Sequence, residues 1–232
     1  MLLLAASPVG AHDDDTLDPH NATPGLRLEM IELSRTSRSA TARYRLHAVG
    51  FPSGVVFSLW AQDFGQAFRF LGSGFQVDES GNLVSSKQAK TPRQSPKQLT
   101  FAPGPYPQGA AWRLALVSAD RAFRAFSGAI PHPITARDGS CTLAVELVSY
   151  RGDHFVATGT GFAPGDEVVA ESRYADRVIR NRQRVSAEGA LPLSVISHQA
   201  SGPNRRARYA VTGRSCEVAV EYNWGEPALL RR

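Results

Sequence analysis

Hydrophobic and polar residues alternate along much of this chain with a period of two. In residues 42–49, Tyr, Leu and Ala stand at every second position, with Arg, Arg and His between them. Side chains two residues apart share one face of a β-strand, so this pattern predicts a strand buried on one side. Similar apolar or alternating runs predict further strands in residues 26–33, 55–60, 110–117, 121–130, 141–149, 154–161, 167–174, 177–185, 191–197, 206–212 and 215–222.

The gaps between these runs are rich in residues that form turns. Asp78-Glu79-Ser80-Gly81-Asn82 is a hairpin-type turn, and other gaps contain Gly, Pro or Asp. No stretch has the period of about 3.6 residues that marks an amphipathic helix. Short strands at regular spacing predict an all-β fold of immunoglobulin-like β-sandwiches.

Two glycine-containing segments occur once in each half of the chain. Gly50-Phe51 is repeated 111 residues later as Gly161-Phe162, and Gly81 is repeated 108 residues later as Gly189. A repeat of about half the chain length indicates two copies of one structural unit. We therefore expect two tandem sandwiches, each large enough to bury its own core.

The composition of the intervening segments sets the expected domain boundaries. Residues 1–25 should be the end of a signal peptide followed by a disordered acidic lead-in. The first sandwich should span residues 26–134 and the second residues 140–226. Pro131-His132-Pro133 and Asp138-Gly139-Ser140 mark the boundary, with few apolar residues between them, which predicts a short, semi-rigid linker.

The segment from Gly159 to Val168 reads G-T-G-F-A-P-G-D-E-V. It resembles the bacterial extracellular immunoglobulin-like repeats, including the IPT/TIG type, in which a G-x-G-F-x-P-G turn opens the third strand. A D-x-x-G-x-L turn, here Asp78 to Leu83, closes a later hairpin in those repeats. The first copy lacks the first glycine and has Ser53 in place of the proline. The resemblance implies a fold, whereas such domains serve as spacers, adhesins and carbohydrate-binding modules alike.

Two cysteines, Cys141 and Cys216, lie in phase with the apolar residues of the first and last predicted strands of the second half. This placement predicts a disulfide that ties the terminal strands together; two unpaired buried thiols are the alternative. A disulfide indicates an oxidising compartment. The apolar residues 2–6 and the small residues 9–11 resemble the end of a signal peptide, so we expect a secreted or periplasmic protein without a transmembrane segment.

The motifs of common enzymes are missing from the sequence. There is no G-x-S-x-G elbow, no H-E-x-x-H pair and no phosphate-binding glycine loop, and the six histidines are scattered. The sequence thus predicts a non-enzymatic protein with no cofactor and no metal site. The acidic run after His12 could bind a metal loosely, but a solvated tail is the preferred interpretation.

The clearest candidate site is a row of arginines in the predicted strand 177–185. Arg180, Arg182 and Arg184 project from one face, and Arg205, Arg206 and Arg208 could extend the patch. Guanidinium groups bind sulfate, phosphate and carboxylate groups, as on an acidic polysaccharide or an envelope lipid. The competing interpretation is an edge strand that carries charge to prevent aggregation.

Trp224 is the aromatic candidate for a sugar-stacking side chain, because Gly and Pro follow it near the C-terminus. It could equally cap the end of the sandwich. The formal charge of +5 favours anionic partners only weakly. Basic residues do not interleave with stacking aromatics, which disfavours nucleic acid.

These features predict an exported, non-enzymatic binding or structural module of the cell envelope, with an anionic glycan or lipid as its ligand. The alternative is an accessory pair of domains that contacts a protein of an envelope enzyme or secretion assembly.

Overall fold

The computed structural model describes residues 17–36, 41–85, 99–199 and 205–230. Their secondary structure is all-β apart from two short 3-10 helices, at Pro19–Asn21 and Glu226–Leu229, which confirms the predicted fold class. No helix in these ranges is long and apolar enough to cross a membrane.

The described strands of the first half are β1 (Arg27–Thr36), β2 (Thr41–Val49), β3 (Phe57–Gln62), β4 (Phe68–Val77), β5 (Leu83–Ser85), β6 (Thr100–Phe101), β7 (Trp112–Ser118) and β8 (Arg124–Ala129). They form two antiparallel sheets, with the orders β1-β2-β6 and β5-β4-β3-β7-β8.

Within the described part of the second half, the strands are β9 (Ile134–Asp138), β10 (Cys141–Leu147), β11 (His154–Thr160), β12 (Glu167–Tyr174), β13 (Arg177–Arg184), β14 (Ser194–Ser197), β15 (Arg206–Thr212) and β16 (Glu217–Asn223). They form two four-stranded antiparallel sheets, with the orders β14-β11-β10-β9 and β13-β12-β15-β16.

The two halves share one strand order, as the sequence repeat predicts. In each half the first, second and fifth of seven matching strands form one sheet; the third, fourth, sixth and seventh form the other. In the constant-type immunoglobulin sandwich the fourth strand belongs to the sheet of the first, second and fifth strands, whereas in both halves of this chain it belongs to the other sheet. The first half adds β5 beside β4, and the second half adds β9 beside β10.

The repeated glycines have the same structural role in both halves. Gly50 and Gly161 follow the second strand of each half with φ of +80° and +79°. A Cβ atom would lie 2.6 Å from the Gly25 carbonyl oxygen in the first case and 2.0 Å from the Ser140 carbonyl oxygen in the second. Each glycine thus lets the chain cross close to the segment that precedes the first strand.

The repeated turn has the same pattern of hydrogen bonds in the two halves. Asp78 Oδ1 accepts from the amides of Ser80 and Asn82, whereas Ser186 Oγ accepts from the amides of Glu188 and Ala190. The spacing is identical, and a short polar side chain is what such a turn requires at its first position.

In most of the described strands an apolar face points between the two sheets. Leu46, Leu59, Leu114, Leu143 and Val218 belong to one continuous cluster of buried side chains that extends through both halves. Burial of these side chains is the main favourable contribution to folding.

The prediction of a linker between the halves is wrong for Ile134–Asp138. These residues form β9, which pairs with β10 from Cys141↔Asp138 to Val145↔Ile134. The buried side chain of Ile134 provides the reason, because it packs into the core. The domain boundaries at 134 and 140 stay a prediction.

Part of the predicted disordered lead-in is ordered. The Thr23 amide donates to the Arg124 carbonyl at 2.8 Å, and the Arg124 amide donates to Thr23 Oγ1 at 2.9 Å. Leu17 packs on a small apolar cluster on the outer face of the first-half sheet, which includes Trp60 and Phe68. The predicted signal-peptide remnant and the acidic run after His12 lie outside the described residues.

The predicted disulfide is confirmed. Cys141 and Cys216 are bonded, with their Cα atoms 6.4 Å apart. The bond joins the start of β10 to the residue before β16, whereas the disulfide of antibody domains joins the second strand to the sixth.

The halves also meet through backbone. Leu147 donates its amide to the Gly109 carbonyl at 2.9 Å, and Gly109 donates its amide to the His132 carbonyl at 2.7 Å. Ala110 forms a parallel bridge with Leu147. These contacts place a loop of the first half against β10 of the second.

Candidate functional site: the outer arginine face

β13 lies at the edge of its sheet and carries the predicted arginines. Arg180, Arg182 and Arg184 point away from the core, and the side chain of Arg182 is 79% exposed. β13 ends the sheet because only β12 pairs with it in the described part of the chain. The arginines therefore stand in a row along an exposed border.

Two more of the predicted arginines share this surface. Arg206 and Arg208 lie on β15 and face the same side of the sheet, with β12 between β15 and β13. Arg173 of β12 completes the group, and the sequence analysis missed it because it is the one basic residue of that strand. We call this surface the outer arginine face; its charged members are Arg173, Arg180, Arg182, Arg184, Arg206, Arg208, Glu167, Glu171, Glu217 and Glu221.

Most of these charges are paired. Arg180 contacts Glu171 at 2.6 Å and Arg206 contacts Glu221 at 3.3 Å. Longer contacts join Arg182 to Glu167 at 3.5 Å and Arg208 to Glu217 at 3.8 Å. The exposed pairs of Arg182, Arg206 and Arg208 are weak because water screens them, so these arginines can exchange their glutamates for other partners.

Glu171 is the centre of the strongest cluster. Its side chain, 14% exposed, accepts hydrogen bonds from both Arg173 and Arg180. These hydrogen bonds lower the pKa of Glu171 to about 2, and the bond from Arg173 makes the larger contribution. The carboxylate thus stays charged and holds two arginines in fixed positions over the middle of the sheet.

Arg184 differs from its neighbours, because no carboxylate pairs with it among the described residues. A shallow concavity of about 290 Å³ opens at the other end of the face, lined by Arg173, Arg206, Arg208 and Glu221. Three guanidinium groups around one depression can bind the oxygens of a sulfate, phosphate or carboxylate group.

The predicted exposure of Trp224 is wrong. The indole is only 3% exposed, and it packs against Tyr174 and His198 with ring centroids 6.1 Å and 5.5 Å away. Arg205 covers it, with the guanidinium carbon 4.3 Å from the ring centroid. Trp224 therefore caps the end of the sandwich, and Arg205 stacks on it rather than joining the outer arginine face.

His198 is a buried ionisable residue that the sequence analysis did not single out. It is enclosed by Phe155, Tyr174, Tyr222 and Trp224, and Nε2 lies 3.0 Å from the Tyr222 hydroxyl. Burial lowers the pKa of His198 to about 4 and raises the pKa of Tyr222. His198 is accordingly neutral at physiological pH, and no sequence motif marks it because the cage comes from three different segments of the chain.

Within the ranges that the structure describes, no group of three His, Cys, Asp or Glu side chains is arranged to hold a metal ion.

The chain matches no protein-family model and no curated protein sequence. Among solved structures it is similar to a tetra-tandem repeat in the extending region of a large adhesion protein. The identity is 12% and the TM-score 0.29, over 88% of this chain and 49% of that one. The chain thus spans about half the length of that structure, and a TM-score this low does not show a shared fold. Membership of the IPT/TIG repeats stays a prediction.

Proposed function

We propose that this protein is an exported, non-enzymatic binding module whose outer arginine face takes sulfate, phosphate or carboxylate groups of an envelope glycan or lipid. The observation that carries the proposal is the alignment of six arginines with four glutamates on one exposed sheet face. The excess of positive charge and the weak exposed pairs favour exchange of a glutamate for a ligand anion.

Two features support an extracytoplasmic location. The Cys141–Cys216 disulfide forms and persists in oxidising compartments. The small residues 9–11 are typical of a signal-peptide cleavage site. Both fit a module of the periplasm or the cell surface.

The test is retention on heparin and on anionic-lipid vesicles across a salt series. The Arg180→Ser, Arg182→Ser, Arg184→Ser variant should elute at lower salt than the wild type. The reason is that the substitutions remove guanidinium groups that bind the sulfate or phosphate groups of the ligand. Heparin binding alone would favour a glycan, and vesicle binding alone a lipid headgroup.

The matched control removes the same charge elsewhere. Arg27, Arg43 and Arg69 are exposed on the first half, so their triple Ser variant has an equal net charge. Equal losses in both variants would mean that retention reflects total charge, and the proposed site would be wrong.

A second candidate function is contact with a protein of an envelope assembly. The observation that favours it is the border of β13, which ends the described sheet with exposed apolar side chains at Val178 and Ile179. Binding to a protein partner that persists at high salt would support this function.

A further inference from the structure

Besides the extra strand β9, the two halves differ at the outer edge of their fourth matching strand. In the first half β5 lies beside β4, with the pairs Phe75↔Ser85, Gln76↔Val84 and Val77↔Leu83. In the second half β13 is the counterpart of β4. No described strand pairs with the edge of β13 that faces away from β12. The first half thus displays how a fifth strand is accommodated at this edge.

The sequence explains why the counterpart of β5 forms no strand in the second half. The repeat of 108 residues places Leu191, Pro192 and Leu193 at the positions of Leu83, Val84 and Ser85. Proline has no amide hydrogen and is disfavoured within a sheet. The Leu191 amide donates instead to the Gly159 carbonyl at 2.9 Å, and Leu193 is exposed.

A small cavity of about 80 Å³ opens at this edge, between β13 of one sheet and β14 of the other. Its walls include Ile179, Gln183 and Val195, and its floor includes Ser172. Gln183 Nε2 donates to Ser194 Oγ at 2.6 Å and so bridges the two edge strands.

Two polar atoms at this cavity have no hydrogen-bond partner among the described residues. They are Ser172 Oγ, on a residue that is only 7% exposed, and Gln183 Oε1. Buried polar atoms normally have a partner, because leaving one unsatisfied outside water is unfavourable. The edge therefore offers hydrogen-bonding groups as well as apolar surface to an incoming chain.

The positive charge of β13 indicates that the partner strand is acidic. Val178, Arg180, Arg182 and Arg184 form its outward-facing row, and Arg184 has no carboxylate partner in the described part of the chain. Opposite charges on directly facing residues stabilise a strand pair. An added strand would thus carry acidic side chains on the outer face and apolar or amide side chains toward the cavity.

We propose that β13 accepts one extended, acidic polypeptide strand of a partner protein, added antiparallel at the position that β5 occupies in the first half. Backbone hydrogen bonds to the outer edge of β13 supply affinity, and the alternating side chains supply specificity. The inference goes beyond the proposed function, since it uses the strand edge and the cavity rather than the arginine side chains alone.

The test uses the full chain and a capped eight-residue peptide, matched to the eight residues of β13, in which Glu alternates with Val and Asn. The control peptide has the same Glu content but carries Pro at two of the alternate positions. We expect the extended peptide to bind at least about tenfold more tightly than the control, which is about 1.4 kcal/mol. Bound peptide should also slow hydrogen exchange of β13 amides.

A charge exchange supplies the second measurement. The Arg182→Glu, Arg184→Glu variant should bind the Glu peptide about tenfold more weakly than the wild type does. It should bind the corresponding Lys peptide about tenfold more tightly. Arg180 keeps its bond to Glu171 in this variant. Unchanged binding of the Glu peptide to this variant would overturn the inference.

The outcomes separate the two proposals. Equal binding of both Glu peptides, without slowed exchange in β13, would overturn strand addition and leave anion binding standing. Absence of binding by either peptide would also overturn it. Strand addition with no retention on heparin or vesicles would support the inference and contradict the proposed function.

Discussion

At the scale of single residues, His198 couples folding to pH. Its pKa falls from 6.5 to about 4 because the aromatic cage excludes water. The unfolded chain therefore binds more protons than the folded chain between these values, and stability falls as pH drops through that window.

We expect the free energy of unfolding to decrease by up to about 3 kcal/mol from pH 7 to pH 4 because of this group. Urea unfolding of the wild type and of His198→Gln at several pH values measures it. The variant should be less stable at pH 7, and its free energy of unfolding should depend less on pH. Parallel plots of unfolding free energy against pH for the two proteins would show that His198 does not cause the pH dependence.

Replacement of Gly161 tests the close approach between the end of β11 and the residue before β10, which both halves share. Its replacement by Ala combines a strained φ of +79° with a Cβ atom 2.0 Å from the Ser140 carbonyl oxygen. We expect a loss of more than about 3 kcal/mol in unfolding free energy, since the backbone has to shift.

Gly165 is the matched control, because its φ is +73° and a Cβ atom added there would have no other atom within 4 Å. Gly165→Ala should cost only about 1 kcal/mol, the cost of the strained φ alone. Similar losses for both variants in urea unfolding would mean that the crossing contributes nothing specific.

At the scale of elements, Glu171 limits the positive charge available on the outer arginine face. Glu171→Gln removes the carboxylate that binds Arg173 and Arg180, so both guanidinium groups become available to a ligand. The variant should elute from heparin at higher salt than the wild type. Glu29→Gln on β1 removes one equal charge and should shift elution less.

The disulfide fixes the terminal strands of the second half. It closes a separation of 75 residues, which in the chain-entropy model stabilises the fold by about 4.5 kcal/mol. The Cys141→Ser, Cys216→Ser variant should lose most of this stability in urea unfolding. Non-reducing mass spectrometry of the wild type provides the control, because two free thiols would remove the basis of the prediction.

At the scale of the whole molecule, the continuous core predicts coupled unfolding of the two halves. Gly109 is central to their junction: its φ is +80°, and a Cβ atom would lie 2.7 Å from Ile134 Cδ1. Calorimetry should show one transition for the wild type and two for Gly109→Val, because the larger side chain displaces the loop from β10. Two transitions in the wild type would contradict coupling.

Local periodicity was enough to predict most strands and turns. The alternation in residues 167–174 and 206–212 matches β12 and β15 residue for residue. Strand boundaries elsewhere shift by a few residues, because hydrogen bonding to neighbours decides where a strand ends. β9 was missed because the predicted linker has few apolar residues, and only its pairing with β10 makes it a strand.

The sequence alone determined the all-β class, the repeated unit, the core-facing phase of the two cysteines and the row of arginines on β13, since each follows from the pattern of residues along the chain. The tertiary structure decided which charges meet. It brought Glu171 between Arg173 and Arg180, buried Trp224 beneath Arg205, enclosed His198 and placed β13 at the edge of the described sheet. Apart from the contact of Glu171 with Arg173, which lie on one strand, these contacts join residues from different strands or loops, and no local pattern encodes them because they depend on how the strands and sheets pack.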